Sequence, residues 1–84
     1  MTKKYAEILY WDGRIDYERA LYEDAISKFS KALKNDASYL DAKYFRAMAY
    51  QKAGELKKAR ADLKDLKSRH HRDAEILYST IPEH

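Results

Sequence analysis

The sequence predicts an all-α fold, namely an α-solenoid of antiparallel helical hairpins with five helices. Two observations support this prediction. The chain matches itself at an offset of 34 residues, so that Tyr10, Tyr44 and Tyr78 lie one and two periods apart, and a fixed period of this length is typical of helical repeat proteins. Small and large apolar residues also recur every three to five positions between Ala47 and Leu66, which is close to the spacing of amphipathic helices.

Composition agrees with a single helical domain. The 84 residues include two glycines and one proline, and 37% of them are charged, as expected of a well-solvated helical chain. The net charge of +3 is modest. No apolar run approaches the ~20 residues needed to span a bilayer, and the N-terminal residues show no signal-peptide pattern. We therefore expect a cytoplasmic protein that does not enter membranes.

A longer internal match points to a family. The pentapeptide Ala-Glu-Ile-Leu-Tyr occurs at residues 6–10 and again at 74–78, two periods later. The middle of the chain adds small, aromatic, turn and core residues in a fixed order, and with them the chain resembles the tetratricopeptide repeat family over about residues 6–80. These middle residues are Ala47, Ala49, Tyr50, Gly54, Ala59, Leu63 and Leu66.

The resemblance implies how the chain is divided. A single domain spans residues 1–84, with repeat one at about 6–39 and repeat two at about 40–73. A capping helix at about 74–81 follows, because a repeat array needs a terminal helix to shield its last apolar face.

The first helix is predicted at about residues 3–19. Gly13 aligns with Ala47 one period later, so we interpret this glycine as the point where the partner helix approaches closely. Asp12 aligns with Arg46 in the same way. Stacked helices would bring these two side chains together, and we predict an ion pair between them.

The second helix is predicted at residues 22–35, because its apolar residues form one stripe. The turn before it contains Ala20 at the position where the later hairpin has Gly54. A non-glycine residue is disfavoured in the left-handed conformation that such a turn requires. A single fused helix that exchanges between chains is therefore an alternative to the first hairpin. The stripe consists of Ala25, Ile26, Phe29, Ala32 and Leu33.

The remaining helices follow from turn and capping signals. Ser38 and Asp41 form a capping-box pattern that restarts the helix after the first repeat. The third and fourth helices flank Gly54, and the fourth runs to about Arg69. A fifth helix follows and ends at Pro82, because proline cannot continue a helix.

Catalytic, metal and cofactor sites are not predicted. The chain has no cysteine and only three histidines, and no further ligand is placed beside them. Asp12 and Asp16 share a helical face, but the sequence places no third ligand of suitable type near them. We therefore expect a non-enzymatic protein without a cofactor or a metal ion.

The resemblance places binding in a groove. In this family the first helix of each repeat lines a concave face that binds extended peptides or partner helices, so the implied partner is a protein or peptide. Tyrosine suits such a surface because it offers a large, rigid ring with a hydroxyl. The alternative is that the tyrosines only pack between helices. The predicted groove residues are Tyr10, Arg14, Tyr17, Tyr44, Met48, Gln51, Lys52 and Tyr78, with Asp41 and Glu75 beside them.

Family members that grip acidic chaperone tails use a clamp of lysines, asparagines and arginine. The corresponding positions here are poorly suited to a carboxylate, so no such clamp is expected. These positions hold Tyr10, Arg14, Phe45, Glu75 and Ser79.

Two other partner classes remain as alternatives. The fourth helix is rich in lysine and arginine and could bind an anionic surface, but Asp62 and Asp65 interrupt the run and no aromatic platform accompanies it. We therefore do not expect nucleic acid as the partner. Self-association is the other alternative, because apolar residues at the two ends of a short array, Trp11 among them, could pair between chains and give a homo-oligomer.

Overall fold

The protein forms four α-helices in the computed structural model, which describes residues 3–69. Consecutive helices pair into two antiparallel hairpins, and the second hairpin stacks on the first through α3 and α2. The all-α hairpin array predicted from the sequence is confirmed for these residues, whereas the predicted fifth helix at 74–81 lies outside them. The helices are α1 (Lys3–Glu18), α2 (Tyr22–Asn35), α3 (Leu40–Lys52) and α4 (Leu56–Ser68).

The core consists of two apolar clusters, one for each hairpin. The first joins α1 and α2 to one face of α3, and Phe29 is its largest fully buried side chain. The second joins α3 to α4 around Leu63 and Leu66, which are also fully buried. Because α3 contributes to both clusters, neither hairpin buries all of its apolar surface alone.

Gly13 is a point of close approach between α1 and α2, as predicted. A Cβ atom built on this residue would lie 2.6 Å from Cε1 of Phe29. Glycine is required here because the Phe29 ring occupies the space that any side chain would take.

The two hairpin turns have the same geometry one period apart. Ala20 has φ of 62° and Gly54 has φ of 83°, so both residues are left-handed. The N–H of Leu21 donates to the carbonyl of Asp16 at 2.9 Å, and the N–H of Glu55 donates to that of Tyr50 at 2.8 Å. This is the hydrogen bond of a Schellman helix end. The first turn therefore forms in spite of its alanine, as a hairpin and not as a fused helix.

Exchanging alanine and glycine at the two turns should change the stability of the fold in opposite directions. Ala20→Gly should stabilise the fold by about 0.5–1 kcal/mol, because it removes a left-handed alanine. Gly54→Ala should destabilise it by a similar amount, and the effect is confined to the backbone because no atom lies within 4 Å of the added Cβ. Chemical denaturation of both variants measures the two changes. Changes of the same sign in the free energy of unfolding of both variants would show that the left-handed conformation does not determine the stability of these turns.

Ion pairs connect the helices of each hairpin, but not as the sequence suggested. Arg46 donates from Nε and Nη2 to both carboxylate oxygens of Asp62, at 2.8 and 2.7 Å. Its Nη1 donates to Ser30 Oγ of α2 at 3.2 Å. The predicted pair between Asp12 and Arg46 is therefore wrong, because the guanidinium turns toward α4 of its own hairpin.

Two further ion pairs between described helices also lie within a hairpin. Lys28 donates to Asp16 at 3.0 Å, and Lys43 donates to Asp65 at 2.7 Å. The hydrogen bond from Lys43 lowers the pKa of Asp65 below its ordinary value. Complementary charge thus reinforces each pairing of a first helix with its own second helix.

The turn between the repeats differs from its prediction. Ser38 bonds back to Asp36 through its backbone N–H at 3.1 Å and its hydroxyl at 2.7 Å. The helix restarts at Leu40 after Tyr39, without a capping side chain. The predicted capping box of Ser38 and Asp41 is therefore wrong, because the Ser38 hydroxyl donates to Asp36 and the residue that precedes the helix is Tyr39.

Candidate functional site

The two first helices, α1 and α3, meet along a seam built around Phe45. Its ring packs edge-on against Tyr10 at a centroid distance of 5.9 Å and against Tyr17 at 6.2 Å. On its own helix it meets Tyr44 at 5.6 Å and nearly at right angles. We call this surface, with Arg14 and Met48 beside it, the α1–α3 seam. It contains several of the residues that the sequence predicts for the groove.

Arg14 covers the seam from the α1 side. Its guanidinium carbon lies 4.4 Å from the centre of the Phe45 ring and 5.2 Å from that of Trp11. A cation over an aromatic face is attracted by the partial negative charge of the π electrons on that face. The guanidinium is therefore held over the rings and presents a fixed positive charge at the edge of the seam.

Tyr10 is placed differently from the prediction, since it belongs to the core. Only 5% of its surface is exposed, and its ring packs against Tyr39 at 5.0 Å and Phe29 at 6.0 Å. Burial raises the pKa of its hydroxyl above the ordinary value. Tyr10 thus supports the seam from below, in agreement with the alternative that some tyrosines pack between helices.

The other predicted groove residues vary in exposure. Tyr17, Tyr44, Met48 and Gln51 are half-buried, as is Arg14, whereas Lys52 is exposed. Tyr17 also packs edge-on against Tyr22 of α2 at 5.5 Å. Tyr78 lies outside the described residues, so the series of tyrosines 34 residues apart is described only as far as Tyr44.

Phe45 is the seam residue that the sequence reasoning missed. From the sequence, Phe45 is named only as a position unsuited to the clamp, although its spacing indicates that it shares a helical face with groove residues. Phe45 lies four residues after Asp41 and three before Met48, and residues with these spacings share a helical face. Since both neighbours were assigned to the groove, the same face had to include Phe45.

Aromatic surface dominates the chemistry of the seam. The seam offers aromatic surface, a flexible thioether and one positioned cation, and it brings no nucleophile together with a base. Within residues 3–69, no group of three or more potential metal ligands is present. The same stretch contains no helix with the length and apolar character needed to cross a membrane.

The basic fourth helix also differs from its sequence reading. Asp62 and Asp65 turn toward α3, where they bind Arg46 and Lys43, so these carboxylates do not interrupt the outer face. That face nevertheless carries no aromatic residue, and its exposed lysines stand among small side chains. It therefore offers charge without the stacking surface that single-stranded nucleic acid favours. The outer face of α4 consists of Lys57, Ala61, Lys64 and Ser68.

Comparison with known proteins gives one result. A family model described as a tetratricopeptide repeat matches residues 17–79. The search of curated proteins and the search of solved structures give no match.

Proposed function

The chain belongs to the tetratricopeptide repeat family, and on that premise we propose that it binds a peptide or partner helix along the α1–α3 seam. Modules of this family generally mediate protein–protein interactions and are generally non-catalytic. The proposal accordingly contains no reaction step and no cofactor. The cytoplasmic location predicted from the sequence is part of the same proposal.

The observation that supports this proposal is the composition of the seam. Phe45, Tyr17 and Tyr44 place half-buried aromatic rings in contact along two neighbouring helices. Binding energy at protein interfaces is concentrated in such aromatic and arginine side chains. Rings already packed on one another lose little rotamer freedom when a partner docks.

The side chains around the rings suggest what the partner offers. Met48 is flexible and adapts to the shape of an apolar side chain. Arg14 and Lys52 place positive charge at the edges of the seam, and Lys52 is exposed. We therefore expect a segment with an aliphatic or aromatic anchor and a nearby acidic group.

A selected peptide and a matched pair of variants test the proposal. Peptides are selected from a random library against the full chain, and their dissociation constants are measured for Met48→Glu and Lys57→Glu. Met48→Glu should weaken binding at least about tenfold, because it puts a charge into the apolar seam. Lys57→Glu adds the same charge to the exposed outer face of α4 and should leave the affinity unchanged.

The salt dependence separates the seam from a purely electrostatic site. Binding through apolar anchors should change little between low and physiological ionic strength, whereas charge-driven binding is screened strongly. Peptides that bind Met48→Glu as well as the wild type, or that lose affinity only with Lys57→Glu, would contradict the proposal.

A further inference from the structure

The outer face of α1 carries an apolar stripe that the rest of residues 3–69 leaves about half exposed. Ile8 is 53% exposed, and Trp11 and Ile15 are each 52% exposed. Their spacings of three and four residues place them on one helical face. We call these three residues the α1 stripe.

Concentration on one face makes the stripe unusual. Five large apolar side chains are exposed in the described part of the chain, and four belong to α1. Single exposed apolar residues are normal, whereas a contiguous patch of about 300–600 Å² is often functional. The fourth exposed apolar residue of α1 is Tyr5, which lies beside the stripe. The fifth exposed apolar residue of the described chain is Leu21, which lies outside α1.

The 34-residue period shows that the same positions form an interface elsewhere in the molecule. One period after the α1 stripe come Ala42, Phe45 and Ala49 of α3. These residues belong to or pack against the core cluster shared with α1 and α2, and both alanines are fully buried. The α1 stripe therefore repeats an internal packing surface at a place where no preceding helix exists in the described structure.

Stacking of the stripe on α4 of another chain is unfavourable. Ile26, Ser30 and Leu33 share the face of α2 that meets α3, as the hydrogen bond from Arg46 to Ser30 indicates. The helix equivalent to α2 in the second hairpin is α4. It has three cationic residues at the same positions, and covering apolar side chains with cations would cost desolvation energy. These residues are Arg60, Lys64 and Lys67.

The ends of the stripe instead match the stripe of a second copy. Lys4 precedes Ile8 by four residues and Glu18 follows Ile15 by three, so the five positions recur at 4, 3, 4 and 3. This is the seam pattern of a coiled coil. An antiparallel pair of α1 helices places Lys4 of each copy beside Glu18 of the other. A parallel pair would oppose like charges at both ends.

We propose that the α1 stripe is the interface of an antiparallel homodimer, centred on Trp11 and closed by two pairs of Lys4 with Glu18. In this register Ile8 of one copy faces Ile15 of the other, since their numbers add to nearly twice that of Trp11. A shallow depression of about 220 Å³ is lined by Trp11, Arg14, Ile15 and Glu18. It has room for the opposing isoleucine.

The size of the patch predicts a weak dimer. Half of an aromatic side chain is on the order of 100 Å², so the stripe with Tyr5 offers roughly 400 Å² for each copy. A standard stable interface buries about 800 Å² for each partner. The dimer should therefore exchange with monomer in the micromolar to millimolar range. This inference does not rest on peptide binding at the seam, because none of the three stripe residues belongs to the seam.

Sedimentation equilibrium of the full chain from about 1 µM to about 1 mM tests the interface. The mass should rise from that of one chain toward that of two and stop there. Trp11→Glu should raise the dimer dissociation constant at least about tenfold. Leu21→Glu introduces the same charge at an exposed apolar residue away from the stripe and should have no effect. A mass that stays at one chain, or that grows beyond two, overturns the proposal.

Charge reversal tests the antiparallel arrangement. Lys4→Glu and Glu18→Lys should each weaken association, because each places like charges together, and the double variant should restore it. Circular dichroism of each variant verifies that the helices remain. Dimerisation of the wild type without this rescue would overturn the assigned orientation. Peptide binding at the seam is measured separately with Ile8→Glu, which also puts a charge into the stripe but leaves the rings beneath Arg14 in place, and the affinity should equal that of the wild-type chain.

Discussion

Asp62→Ala is expected to destabilise the fold by about 2–3 kcal/mol, because it leaves the Arg46 guanidinium without its anion. The Asp62 side chain is 9% exposed and that of Arg46 is 20% exposed, so water can replace the lost carboxylate only in part. The hydrogen bond to Asp62 raises the pKa of Arg46 above its ordinary value in the wild type. An arginine remains protonated without that bond as well, so the variant keeps a positive charge at this site. Chemical denaturation measures the change in the free energy of unfolding.

Two further variants distinguish the cost of leaving Arg46 without a partner from the cost of losing the ion pair. Asp62→Leu combined with Arg46→Met should cost less than Asp62→Ala alone, because the double variant leaves no unpaired charge. Glu55→Gln disrupts the exposed contact with Lys58, which spans 3.8 Å, and should have almost no effect. If Asp62→Ala cost no more than Glu55→Gln, the pair would have no structural role.

Gly13→Ala is expected to destabilise the fold by about 2 kcal/mol, against the usual preference for alanine in helices. Helix propensity alone favours the change by about 1 kcal/mol. The new Cβ would, however, lie 2.6 and 2.8 Å from two atoms of the Phe29 ring. That ring is fully buried and can move only by straining the surrounding core. Thermal or chemical unfolding gives the sign directly.

A smaller residue at position 29 provides the matched control. In a Phe29→Leu background, Gly13→Ala should become neutral or stabilising, because the clash is removed and the propensity gain remains. The double-mutant cycle therefore predicts a strong favourable coupling between the two substitutions. A stabilising effect of Gly13→Ala in the wild-type background would contradict the close packing of α1 on α2.

The period of the sequence predicted much of the fold for a physical reason. A repeat must present the same small, large and turn residues to equivalent neighbours, so the pattern appears in the chain itself. The α2 and α4 helices begin at Tyr22 and Leu56, one period apart. The left-handed residues Ala20 and Gly54 are separated by the same interval.

The period failed where neighbouring repeats differ in their surroundings. Tyr10 and Tyr44 are equivalent in sequence, and both contact Phe45, yet Tyr10 is buried and Tyr44 is half-buried. The ring of Tyr10 also packs against Phe29 and Tyr39. The partner of Arg46 was misassigned for a similar reason. Equivalent positions indicate which residues stack along the array, but they do not indicate whether a long side chain bonds along the array or across its own hairpin.

The central claim is that partners dock on the α1–α3 seam, and a residue-resolved nuclear magnetic resonance titration with a selected peptide tests it most directly. The resonances of Arg14, Tyr17, Phe45 and Met48 should shift together as the seam is occupied, while those of Lys57 on the outer face of α4 stay in place. Shifts confined to α4, with the Phe45 resonances unchanged at saturation, would contradict the claim.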